Sequence, residues 1–289
     1  MEMELTQNFL RGKNPCAMGY RWFVRNNLSG GDYQNAMDTQ VAAGRVEDAR
    51  WLLQNFGSTH AVLELEHLEA DNLVFAGTVI VHGDVRVTGQ LLVGRSLQVG
   101  AGIRAGKIEV GEDIHSGGAI FCEELLQAGG SIKAAWSVET EGDIHAQELR
   151  TGWELRCRGN VQIKDSIHIG REVEVQGGLA CGKSLRAGGS IAVQGLLDVG
   201  HGMAAGDHID GGNHIQAGWG IKSLGDIRAA CSIRSGETLQ ADGDIATGEG
   251  YGVFAGLNVQ MQAWPDCAWV HAARKPSSLM SGHWMPPPP

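Results

Sequence analysis

The chain has 289 residues, and its 33 acidic and 23 basic side chains give a formal net charge of −10. That balance argues against general nucleic-acid affinity, which needs clustered Lys and Arg to neutralise phosphates. It still allows a local basic face. Glycine numbers 43 and proline 7, so the sequence implies many tight turns between ordered segments and excludes both collagen and Pro-rich disorder.

Met1 to Leu10 carries acids and lacks the apolar core of a signal peptide. No run approaches the ~18 apolar residues of a membrane helix. The 6 cysteines form no CxxC pair and fit neither a zinc site nor a disulfide framework. These features predict a soluble, cytoplasmic protein with reduced thiols and no membrane partner. Residues 14 to 57 then read as helices. Asn14-Pro15 has the N-cap and first-turn residue types, and Tyr20, Phe23 and Val24 come next on one face. Asp32 caps a second helix with Tyr33, Ala36, Met37 and Val41, and a third runs from near Val46 to Phe56 and stops at Gly57. The expected role of this segment, residues 1–60, is to cap the open first coil of a solenoid; partner binding is the alternative. The segment resembles helical leaders that precede solenoids in bacterial and mobile-element proteins.

From residue 73 a period of six dominates. Aliphatic anchors step through Leu73, Val79, Val85, Leu91, Leu97 and Ile103, resume at Ile108 to run to Ile144, and resume again at Leu149 to run through Ile245. Extrapolation continues to Tyr251 and Leu257, and the blocks are joined by five-residue steps. Two residues after each anchor comes a small or branched residue (Val87, Val99, Ala134, Ala187), and the residue between is usually polar (Arg86, Gln98, Lys133, Arg186). Period-two alternation marks a strand with one buried face. Three residues then turn the chain, often with Gly at Gly100, Gly188 or Gly218, where tolerance of positive φ would suit a corner.

So short a strand, repeated so often, is the side of a coil. The predicted fold is mainly β: a single-stranded β-helix, a triangular solenoid of about three hexads per turn over residues 61–260, behind a small α-helical N-terminal cap. About thirty units make roughly eleven turns and a rod of roughly 50 Å. The position of the small residue, two after the anchor rather than four, separates the pattern from left-handed hexapeptide acyltransferases. Over residues 73 to 260 it resembles that of bactofilins, the bacterial polymer-forming scaffold proteins. That resemblance implies a right-handed solenoid and a scaffolding role. Residues 261–289, with Trp264, Trp269, Trp284 and four closing prolines, read as an irregular tail that folds over the last coil or serves as a docking peptide.

A regular solenoid offers convergent catalytic groups only where loops are inserted, and no hexad from Leu149 to Leu257 gains a residue. No phosphate loop or nucleophile elbow appears. The expectation is no enzyme, no cofactor and no metal. His115, His145 and His168 read as outward residues, and His208 and His214 lie at turns. The recurring Gly-Asp-Ile puts Asp226 and Asp244 in one corner column near Asp207, as turn formers or, alternatively, a calcium site. Trp136 and Trp153 occupy equivalent corners of consecutive turns and should stack.

One outward row carries the functional reading. Sorting post-anchor residues by every third hexad groups Lys133, Arg150, His168 and Arg186, then Ala204, then Lys222 on one face. Like charges stacked at about 5 Å repel by roughly 1 kcal/mol in water. Tolerating that in an acidic protein points to an anionic partner or to compensation by Glu148, Asp165 and Glu172; a merely solvated face is the alternative. Two function classes are compatible with these features. One is a non-enzymatic scaffold that binds another protein or itself. The other is a rigid inhibitor, immunity or anti-defence protein of a bacterial or phage system, blocking its partner by a DNA-like acidic shape.

Overall fold

A computed structural model describes residues 4–26 and 31–286. Met1–Met3, and Pro287–Pro289 of the closing proline run, lie outside the described residues. Parallel strands, most of three residues, stack as a β-solenoid with three faces. The first face alone has 13 strands, from Val62–Leu65 to His283–Met285, and therefore about 12 coils. At ~4.8 Å per stacked strand the rod is about 58 Å long. The second and third faces meet at a corner that the longer strands Val85–Val93 and Ile103–Val110 turn without a break.

The hexad phase holds from Leu73 to Ile245. Ile167 pairs with Leu149 and with Leu185, and Ile191 with Val173 and Ile209, so one turn is three hexads. The five-residue steps shorten single coils without resetting the register: Ile132 still pairs with Leu149 and Val138 with Leu155. Inward anchors are almost wholly buried, and the second inward residue of each strand completes the core. Three of the cysteines belong to that set. Cys122, Cys157 and Cys181 lie two residues after their anchors, and their thiols donate to corner carbonyls of Leu125, Gly142 and Asp165 at 3.2, 3.2 and 3.1 Å. Ser116 and Ser235 do the same with hydroxyls, to Ala101 and Trp219. Small polar side chains such as these are admitted to the bore where they find a backbone acceptor, whereas the buried Thr151 hydroxyl is left without one.

Three expectations are corrected. The corner glycines do not use positive φ; among the described residues it occurs only at Gly44, Gly57, Gly250, Gly256, Gly282 and Asn14. They are needed because coils stack closely: a Cβ at Gly100 or Gly218 would lie 2.0 Å from the carbonyl oxygen of His82 or Gly200 in the coil before. The solenoid, expected over residues 61–260, begins at Val62–Leu65 and Leu68–Ala70, ahead of the Leu73 anchor of the hexad, with Leu63 paired to Val79 and Leu68 to Val85. The six-residue step ends at Ile245. Tyr251 and Leu257 are exposed, and the buried Val253 takes over, pairing with Ile233. Finally, Asn14 is not an N-cap: the helix opens at Ala17, with the Cys16 thiol accepting from Gly19 N at 3.2 Å.

The helical region comprises α1 (Gln7–Arg11), α2 (Ala17–Arg25), α3 (Tyr33–Ala42) and α4 (Val46–Phe56). The Asp32 side chain caps α3 by accepting from Asn35 N, and Gly57 at φ 84° ends α4. These helices seat on the side of the rod, on its third face, rather than acting only at its open end. Outward-pointing Val74 and Leu92 are buried among Phe23, Tyr33, Met37 and Leu52 in a second core. Gln34 bonds the strand backbone twice, donating to Val74 O at 2.8 Å and accepting from Ala76 N at 2.9 Å. Arg50 adds an ion pair to Glu109 at 2.7 Å. The tail continues the strand stacking. Trp269–His271 pairs with Leu239–Ala241, His283–Met285 adds beyond it, and Leu279–Ser281 adds to Val253–Phe254. A short helix, α5 (Trp264–Cys267), lies in the intervening excursion.

Candidate functional site: the basic row of the first face

Each strand of the first face presents one outward residue, so stacking in register turns these residues into a line along the rod. The pairings run Gln98, His115, Lys133, Arg150, His168, Arg186, Ala204, Lys222 and Gln240. All five residues predicted to share this face, Lys133, Arg150, His168, Arg186 and Lys222, are brought together. No carboxylate occurs in this stretch. The equivalent row of the second face mixes signs, as in Glu139, Arg156 and Glu174, and there Arg156 pairs with Glu154 and Glu174.

The row is only partly compensated. Arg150 binds Glu148 at 2.7 Å. Asp165 faces Lys183 instead, at 2.7 Å. Among the described residues no ion pair reaches Glu172, and Lys133, Arg186 and Lys222 have no carboxylate within 4.0 Å. Desolvation, with Arg150 and Arg186 on either side, holds the pKa of His168 below the usual imidazole range, although Glu148 opposes the shift. The imidazole is therefore neutral between two guanidinium groups, and an anion docking there would relieve their mutual repulsion.

Aromatic rings flank the row on both edges. Trp136 and Trp153 stack at 5.9 Å with 13° between planes, as their equivalent corner positions required, and Arg171 lies over Trp153. At the opposite corner, higher up the rod, Trp219 stacks on His201 at 4.1 Å and 1°. Sequence reasoning identifies the first of these stacks and misses the second, although His201 and Trp219 lie 18 residues apart, one full turn, because it compares only tryptophan with tryptophan at equivalent corners. Where Ala204 interrupts the long side chains, a recess of about 330 Å³ opens, lined by Arg186, Lys222, Trp219, Glu237 and Thr238. A larger recess of about 510 Å³ on the third face is lined by Gln127, His145, Gln162, Lys164 and Asp198, and its charges are mixed.

The remaining polar motifs serve the coil. Asp113 Oδ1 accepts from Ser131 N and Oγ at 2.6 and 2.7 Å, bonds that lower its pKa. Asp143 accepts from Asn160 N and Asp226 from Asp244 N, each at 2.6 Å. Asp226 is also held by Arg228, and Asp244 by Arg274. Of the Gly-Asp-Ile aspartates, Asp143 and Asp226 are thus turn formers whose carboxylates bind an amide of the next coil, while the Asp244 carboxylate binds the Arg274 side chain. His208 and His214 act likewise, with Nδ1 accepting from Asp226 N and Ser232 N. Burial raises Cys122 to about 11 and Cys157 to about 12, so these thiols are poor nucleophiles.

Residues 3–60 match the family model described as the YdhT N-terminal domain. The match covers the helical region and ends before the first strand of the rod. Comparison with curated proteins and with solved structures returned no match.

Proposed function

We propose that this chain is a non-enzymatic β-solenoid scaffold that binds a protein partner along its first face. One observation carries the reading: the outward row from Gln98 to Gln240 holds four permanent cations and no carboxylate, in a protein whose net charge is −10. An anionic partner surface laid on that row would gain attraction over several coils at once, and rigid strands present the charges without a backbone ordering cost. The bactofilin-like repeat supports a scaffold over an enzyme. So does the even coil length, which leaves no inserted loop between Leu73 and Ile245 to build a pocket of convergent groups. Six free cysteines suit a reducing, intracellular setting.

The test is a triple charge reversal, Lys133→Glu, Arg150→Glu and Arg186→Glu. Outward charges contribute little to folding, so melting should be unchanged. Full-length wild type and variant are each used to recover partners from the native host at low salt, with quantitative mass spectrometry and a light-scattering mass of the complex. A stoichiometric heteromer lost in the variant and weakened by added salt is expected. A partner retained at equal affinity, or an assembly made only of this chain, sinks the proposal.

A further inference from the structure

The first face is not uniform, and its one interruption is chemically specific. Arg186 and Lys222 are separated by Ala204, so their backbones lie two coils apart, about 10 Å. Between them a methyl group replaces a long side chain and leaves the 330 Å³ recess. Neither cation has a carboxylate within 4.0 Å among the described residues, whereas Arg95, Arg150, Arg156, Lys183 and Arg228 each have at least one. The wall is the exposed indole of Trp219, fixed by stacking on His201. The remaining charge in the lining is Glu237, one coil beyond Trp219 at the same corner.

Resting on the proposal that this face binds a protein, we infer that the Ala204 recess receives a single acidic side chain of that partner, Asp or Glu. Its carboxylate sits between the Arg186 guanidinium and the Lys222 ammonium, and its methylenes lie against Trp219. Charge arithmetic selects a monoanion: two cations, Glu237 and one incoming carboxylate sum to zero, whereas a dianionic phosphate would leave an excess negative charge beside Glu237. The rest of the row supplies general attraction; the recess supplies the position at which the partner is locked in register along the rod.

Substitution at Ala204 separates these roles, because it changes charge and space in opposite senses. The probe is a synthetic hexaglutamate peptide titrated into the full chain at low salt, monitored by the Trp219 indole N–H resonance and by calorimetry. Wild type is expected to bind with a shift of that resonance. Ala204→Arg adds a cation yet fills the recess, and is expected to bind at least tenfold more weakly. Ala204→Leu, an uncharged filler of a partly exposed outward position, is expected to lose affinity similarly and guards against a folding defect in the first variant. Arg186→Gln and Lys222→Gln should each weaken binding. Unchanged or tighter binding by Ala204→Arg overturns the recess and leaves the basic face standing. No binding of hexaglutamate to wild type overturns the recess and the anionic-partner reading together. A stronger response to inorganic phosphate than to the peptide overturns the carboxylate assignment.

Discussion

Replacing Ile191 by Asp tests the phase of the repeat, since a shift of one residue would put this position outside. Ile191 is fully buried and stacked between Val173 and Ile209. Losing the isoleucine costs about 1.5–3 kcal/mol of burial. The carboxyl group meets an aliphatic bore, so its pKa rises by up to ~3–5 units. Once that value exceeds 7 the group folds protonated, and the linkage cost at pH 7 is about 4 kcal/mol relative to an unfolded pKa near 3.9. A neutral acid left without a partner adds about 1–3 kcal/mol. The total, roughly 8 kcal/mol, is comparable with the whole stability of an ordinary domain at ~5–15 kcal/mol. The sign is diagnostic. The folded pKa lies above the unfolded one, so stability is lost as pH rises through that interval, and moving from pH 7.5 to 5 should restore about 3 kcal/mol. Urea unfolding monitored by circular dichroism at both pH values measures it. Ala192→Lys is the control, one residue along, pointing outward between Glu174 and Asp210, and should stay near wild type. An Ile191→Asp variant with the wild-type midpoint, or with no pH dependence beyond that of wild type, would refute the assigned phase.

The Trp136–Trp153 stack should give an exciton couplet in far-ultraviolet circular dichroism that either Trp136→Ala or Trp153→Ala abolishes equally; loss in only one variant would contradict the stacking. A thiol reagent at pH 7.5 should modify exposed Cys16 rapidly and reach Cys122, Cys157 and Cys181 only after denaturation, because burial keeps these three thiols protonated. The depressed pKa of His168 means that the unfolded chain takes up a proton first as pH falls below ~6.5, so this residue contributes a loss of stability toward lower pH. His168→Asn should flatten that part of the pH profile. By the same linkage, hexaglutamate affinity should rise as pH falls, because a bound anion favours the imidazolium; pH-independent binding would remove His168 from the interacting row.

The rod was legible because its signal is redundant: every coil repeats the alternation that the previous one showed, so a single odd residue cannot shift the phase. Redundancy also explains the features that escaped notice. In Leu73-Val74-Phe75 and Leu91-Leu92-Val93 the middle residue is apolar instead of polar, and these middle residues are the seat of the helices. The break in alternation at Val74 and Leu92 is the sequence signal of this second core, and the inward period of six does not carry it. The glycines were placed correctly at corners but for another reason, since the approach of a neighbouring coil is a property of stacking and cannot be read from one turn. At the C-terminal end Tyr251 and Leu257 kept the period by count alone. Glu249-Gly250, which precedes them, lets the chain depart, and Val253 restores pairing across 20 residues from Ile233 instead of 18.

The candidate site depends on how the short steps are absorbed. A five-residue step removes a corner residue but leaves the next anchor stacked on its predecessor, as Leu149 is on Ile132. Had the deletion fallen within a strand, the outward residue would have turned inward and every later cation would have moved to another position. Lys133 lies before the step near Ile144 and Arg150 after it, yet they are adjacent in the row. Continuity of charge across an irregular coil is therefore a consequence of where the chain shortens. It lets Lys133 act with Arg150, Arg186 and Lys222 as a single line, although the sequence separates Lys133 from Lys222 by 89 residues.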